Sequence, residues 1–185
     1  MVEQRGSARQ RILDSAVAVV REEGGGHLTL DAVARHAGLS KGGVLYHFPN
    51  KRALIEAMIE RLLGNMEARA DAQRQRIDGV NARLRALSLA DATHLPEEDA
   101  MSLAILAAAA EDPTLLNPVR ETVAGWFAQV EGEAKDAGMD ADAALLVLLA
   151  NQGLRFMEML ELLPLKPART RLLRERLLQL AEQQA

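Results

Sequence analysis

The chain has 185 residues, of which 49% are hydrophobic and only 3% aromatic; it has no cysteine and carries a formal net charge of -4 at pH 7. That length supports one sizeable core or two small ones without covalent staples. The missing thiols exclude a disulfide framework and a thiolate zinc site, and fit a reducing compartment. Residues 1–10 carry Glu3, Arg5 and Arg9 and lack the apolar run of a signal peptide. The longest apolar stretch, around residues 100–110, falls well short of the roughly 18 apolar residues of a membrane span. The expectation is a soluble, cytoplasmic protein.

The net charge is unevenly spread. Through Arg52 the chain carries 8 Lys plus Arg and 5 Asp plus Glu, a net +3, and the remainder is -7. An anionic polymer is tolerable at the N-terminal end and repelled by the rest.

No segment alternates apolar and polar residues, so the fold class expected is all-α. Ser7 opens a first helix in a capping-box pattern with Gln10, and Ile12, Leu13, Ala16, Val17 and Val20 mark its apolar face up to the glycines at 24–26. Thr29 starts a short second helix with Leu30, Val33, Ala34 and Ala37 on one side. Gly38 suits the left-handed turn that ends it, Ser40 caps a third helix, and Pro49 stops that helix. Asn50 caps a fourth helix running to about 76. Further helices are expected at about 80–90, 97–110, 113–137, 141–163 and 168–183, bounded by Pro96, Pro113, Gly138 and the turn at Pro164 to Pro167. This gives about nine helices, with no repeat or long linker. A three-helix N-terminal domain over 1–52 is therefore expected to share the fourth helix with a helical domain over 53–185.

The informative segment runs from Thr29 to Lys51. Two short helices joined by a tight glycine-containing turn either form an ordinary helical hairpin or place the second helix in a DNA major groove. At about 100° per residue, Val44, Leu45 and Phe48 fall on one side of the third helix and Gly42, Gly43 and Tyr46 on the other. Glycine inside a helix costs roughly 1 kcal/mol relative to alanine, so an exposed pair makes sense where something approaches the backbone closely. Lys51 and Arg52 lie in the first turn of the fourth helix, where the helix dipole disfavours cations. Either a bound phosphate reconciles both charges or two exposed cations tolerate the repulsion.

Over residues 8–58 the sequence resembles the DNA-binding domain of the tetracycline-repressor (TetR) family of bacterial regulators. The resemblance rests on the helix-one pattern, Leu28-Thr29, Val33-Ala34, Ala37-Gly38-Leu39-Ser40, Tyr46-His47-Phe48 and Lys51. It implies a helix-turn-helix that reads a palindromic double-stranded operator, a homodimer made by the last two helices, and release from DNA when a small-molecule effector shifts helix four. Family members often carry a second aromatic before the tyrosine, where this chain has Leu45. Lys41, Tyr46, His47 and Lys51 are the expected phosphate and groove contacts, with Gly42 and Gly43 facing the groove. Thr29 either bonds a phosphate or caps helix two, and Ser40 is a cap before it is a base contact. His36 is expected to be solvated.

Elsewhere the sequence offers no enzyme. His27, His36, His47 and His94 lack both H-E-x-x-H and Glu-x-x-His spacing, so neither a metal nor a cofactor is expected. Glu97, Glu98 and Asp99 suit a helix N-terminus better than acid–base chemistry. The helix at 141–163 starts apolar nearly all round, and the last helix has Leu173, Leu177 and Leu180 on one face. With Leu146 and Leu149 these are the expected dimer interface. An effector pocket is expected among Met58, Met66, Met101, Leu103, Trp126, Phe127, Phe156 and Met157, soft side chains that suit an apolar ligand as well as a plain core. Asn151, Gln152 and Arg155 orient a ligand, pair across the dimer or face solvent. The function expected is a ligand-responsive transcriptional repressor; the alternative is a helical ligand-binding or adaptor protein without DNA binding.

Overall fold

A computed structural model describes residues 7 to 183, so Glu3 and Arg5 lie outside the described residues. Among the described residues there are nine α-helices and no strand. They are α1 (Ala8–Glu23), α2 (Leu30–Ala37), α3 (Lys41–His47), α4 (Lys51–Arg74), α5 (Ala82–Ala92), α6 (Pro96–Glu111), α7 (Asn117–Asp136), α8 (Ala141–Met159) and α9 (Pro167–Gln183).

Helix starts follow local chemistry. Ser7 Oγ accepts from Gln10 N at 3.2 Å, Thr29 Oγ1 from Ala32 N at 3.1 Å, Ser40 Oγ from Gly43 N at 3.1 Å and Asn50 Oδ1 from Ala53 N at 2.8 Å. Each satisfies a backbone N–H that has no partner inside its own helix. Two ends differ from the sequence expectation. The helix expected over 113–137 begins with a separate 3-10 turn, Pro113–Leu116, because Asp112 Oδ1 accepts from Thr114 N at 3.1 Å and caps it. α8 ends at Met159 rather than 163: Glu161 takes a left-handed φ of 54°, and Leu162 N then donates back to Met157 O at 2.9 Å. A glycine usually fills that position, so its absence hid the helix end from the sequence.

The described residues fall into two compact units, one through Leu63 with Leu95–Arg120 and one of Gly64–His94 with residues from Glu121 onward. Contacts thus divide the chain within α4, and the first unit includes α6 as well as the three N-terminal helices. In the first unit α1 packs on α2 and α6, α2 packs on α3, and Ile12, Val33, Val44, Phe48, Leu54 and Met58 are fully buried. A Cβ at Gly25 would sit 3.0 Å from the Ala104 Cα, so the turn after α1 lies against α6 as closely as a glycine permits. In the second unit α5, α8 and α9 pack on one another around Leu84, Leu87, Trp126, Val130, Val147 and Leu148.

Candidate nucleic-acid interface

The turn between α2 and α3 is made by Gly38, at φ 65°, with Leu39 N donating to Ala34 O at 3.0 Å. This left-handed ending reverses the chain in two residues and lets Ser40 start α3. Val44 and Phe48 then fix the inner side of α3, both buried. The guanidinium of Arg9 lies 5.2 Å from the centre of the Phe48 ring and also pairs with Glu60 at 3.6 Å. Arg9 in α1, the end of α3 and α4 are therefore joined through one side chain, a link that residue spacing does not disclose.

The outer side of α3 is exposed at Gly42 and Tyr46. Tyr46 is 85% exposed, and its ring makes a T-shaped pair with His47, at 5.0 Å between centroids and 86° between planes. Gly42 is exposed and Gly43 half-buried. A Cβ at Gly43 would meet Ser40 Oγ at 3.4 Å and Leu39 Cβ at 3.9 Å, and one at Gly42 only Ser40 Oγ at 3.9 Å. Neither glycine is required by packing within the protein, so local structure gives no reason for them.

The cations near this face divide into two kinds. Lys41 Nζ is 2.9 Å from Asp31 Oδ2, and Arg52 donates to Glu56 at 2.8 Å, to Thr114 Oγ1 at 3.2 Å and to the Asp112 carboxylate. Lys51 is exposed and makes no ion pair among the described residues. Of the two cations at the start of α4, Arg52 has counter-charges within the protein, as Lys41 has in Asp31, and Lys51 has none among the described residues. Thr29 is exposed while capping α2, and His47 is half-buried beside Tyr46.

The residues expected to line an effector pocket scatter. Met58 and Met101 are buried in the first unit, and Leu103 is 38% exposed. Trp126 is buried in the second unit and donates from Nε1 to Glu67 at 3.0 Å, with Met66 and Phe127 packed on the same core. Phe156 and Met157 are exposed. The second unit holds a cavity of about 680 Å³ and a shallower groove, and of these eight residues only Met157 lines either one, in the groove.

On the expected dimer face, Leu146, Leu149 and Leu180 are exposed, at 65%, 51% and 39%. Leu173 and Leu177 are half-buried and line the α8–α9 groove, and Leu177 also packs on the core of the second unit. The three polar residues of α8 turn inward. Asn151 Nδ2 donates to Ser88 Oγ at 2.8 Å, Gln152 Nε2 donates to Asp91 Oδ2 at 2.8 Å, and Arg155 acts on the charge of Asp91. Asp91 is 6% exposed, and burial pushes its carboxyl up to about 6 in spite of Arg155, Arg174, His94 and Arg69. The apolar positions Leu84, Leu87 and Ala90 put Asp91 on the inward side of α5, a signal the sequence reading passed over.

Residues 12–58 match the family model of bacterial regulatory proteins of the tetR family, and residues 78–182 match that of the tetracyclin repressor-like C-terminal domain. The chain belongs to the TetR family. A nucleoid occlusion factor, SlmA, of Marinobacter nauticus is 31% identical over 88 residues, which cover 48% of this chain and 45% of that protein. The transcriptional regulator SrpR of Pseudomonas putida is 41% identical over 51 residues, 28% of this chain and 24% of that protein. The chain thus spans less than half the length of these relatives. A crystal structure of a transcriptional regulator from Rhodococcus sp. Rha1 superposes over 96% of both chains with a TM-score of 0.75 and 20% identity, a likeness of fold. TetR-family proteins are helix-turn-helix regulators of transcription, and both TetR segments are present here.

Proposed function

We propose that the chain is a homodimeric, ligand-responsive repressor whose residues through Arg52 bind a palindromic operator and whose remaining helices carry the dimer interface and an effector site. The observation that carries this reading is the outer side of α3: exposed Gly42, half-buried Gly43 and the 85% exposed Tyr46, on a helix fixed from behind by Val44 and Phe48. Such a face gives up helix stability without a return inside the protein, and it suits close approach to a groove edge. Tyr46, Lys41 and His47 would contact the groove and its phosphates, Lys51 would hold a phosphate at the start of α4, and Thr29 and Ser40 would add hydroxyls beside their caps.

The α8–α9 leucines support a dimer in which two such helices enter successive major grooves roughly 34 to 36 Å apart. An effector that favours the DNA-free form must bind less tightly in the presence of operator, by the factor by which it weakens operator binding. A mobility-shift assay on DNA upstream of the chain's own gene tests the reading. Specific retardation with wild-type protein, lost in Gly43→Leu, supports it; a fully folded wild-type protein that retards no DNA supports the helical adaptor instead.

A further inference from the structure

The cavity of about 680 Å³ in the second unit lies among the end of α5, the end of α8, the turn that follows it and the first half of α9. Its volume is in the range of sites for small organic ligands. Leu89, Leu163, Leu165 and Leu178 give it apolar walls. Arg174 crosses that wall with its side chain only 14% exposed; one end of the guanidinium is bound to Glu158, while Nη1 is buried and has no acceptor among the described residues. Behind the wall lies a second carboxylate, Asp91, on which the charges of Arg155, Arg174 and Arg69 act.

We propose that this cavity binds an organic carboxylate with an apolar body, the carboxylate on Arg174 and the body along Leu89, Leu163, Leu165 and Leu178. A buried donor without an acceptor is costly, and a charge-assisted bond to a guanidinium is among the strongest a small ligand can make. A carboxylate supplies that acceptor and an ammonium does not. Glu161 and Glu175 also border the cavity, but both are exposed, where water and salt weaken their repulsion. Glu158 and Asp91 are the competitors, since the ligand must share Arg174 with both. The site therefore prefers acids over amines, and it holds them more tightly when Glu158 loses its charge.

The inference supplies a ligand class for the regulator proposed above, yet its test needs no DNA. Calorimetric titration of the full chain with octanoate, octan-1-ol and octylammonium compares one apolar body with three head groups. Octanoate is expected to bind at least about tenfold more tightly than the other two. Arg174→Gln is expected to remove that advantage and leave octan-1-ol unchanged, and Glu158→Gln to tighten octanoate. No binding of octanoate, an equal or tighter hold on octylammonium, or undiminished octanoate binding in a folded Arg174→Gln protein overturns the proposal. If Arg174→Gln fails to fold by circular dichroism, Leu163→Trp decides. It fills the cavity from a turn, so it must abolish octanoate binding, and retained binding overturns the site. Octanoate that binds as expected but leaves operator affinity untouched fails the regulator reading and leaves the site standing.

Discussion

The guanidinium of Arg52, in the first turn of α4, is bound to the carboxylate of Asp112, the residue that ends α6 and lies sixty positions further along the chain. Thr114 donates to the same carboxylate at 2.6 Å and, with Arg52, holds its pKa below the usual range, the Thr114 bonds contributing most. Arg52 is thereby a structural cation, whereas its neighbour Lys51 points its charge at solvent.

The two neighbours should therefore respond differently to substitution. Lys51→Ala is expected to weaken binding to all DNA sequences alike and to lower the slope of log affinity against log salt by about 0.9, the share of one phosphate contact. Arg52→Ala is expected to leave that slope unchanged. Its effect should be a small fall in melting temperature, no more than about 4 °C for exposed pairs of this kind. Fluorescence anisotropy over a series of salt concentrations measures the slopes, and equal slopes for the two variants would contradict the division of roles.

The exposed face of α3 gives a second prediction. Gly43→Leu places its Cβ in ordinary contact with Ser40 and Leu39, so the variant should fold, with unchanged or slightly higher stability because glycine is a poor helix residue. Operator binding should be abolished. Tyr46→Phe removes only a hydroxyl and should cost roughly 1 to 3 kcal/mol of binding if that group makes a buried bond in the complex. A Gly43→Leu protein that melts normally and binds operator with wild-type affinity would show that this face stays out of the groove.

What the sequence disclosed and what it hid follow from the range of the interactions. Thr29, Ser40, Asn50 and Gly38 act within about four residues of themselves, so spacing alone placed the starts of α2, α3 and α4 and the end of α2. The inward position of Val44 and the outward one of Tyr46 follow from the helical period. Asp112, Glu60 and Asp91, which bind Arg52, Arg9 and Gln152, lie 60, 51 and 61 positions from them, and no local pattern carries that information. Which residues line a cavity is set by contacts of the same range. Chemical type marks Met58 and Trp126 as adaptable, but only packing decides whether such a side chain faces a cavity or fills a core.

The dimer prediction is sharpened by burial. Leu146 is 65% exposed, so Leu146→Asp should change the fold of a single chain little, within about 0.5 kcal/mol for a surface position. It should nevertheless convert dimer to monomer in sedimentation, since a charge buried at an interface without a partner is costly. Leu177 is a poorer probe, because it also packs on the core of the second unit and a charge there would destabilise the chain itself. An unaffected dimer with aspartate at both Leu146 and Leu149 would move the interface away from α8.

Asp91 makes the last prediction. Burial raises its pKa from 3.8 to about 6 in the folded chain, so the folded state holds this proton more tightly than the unfolded state does. The contribution of Asp91 to stability is therefore fully present below pH 3.8, falls as pH rises, and is lost above about pH 6. The whole span amounts to about 3 kcal/mol, at 1.36 kcal/mol per pH unit. Asp91→Asn imitates the protonated form and can still accept the bond from Gln152. Its gain in stability over wild type should be largest at pH 8 and about half as large at pH 5. Comparing the two proteins at each pH cancels the other titrating groups, which thermal melts of wild type alone would not. The opposing influence is the set of cations around Asp91, each of which favours the ionised carboxylate. If those charges outweigh burial, Asp91→Asn will be less stable than wild type at pH 8, and Asp91 is then the counter-ion of its arginines rather than a buried acid.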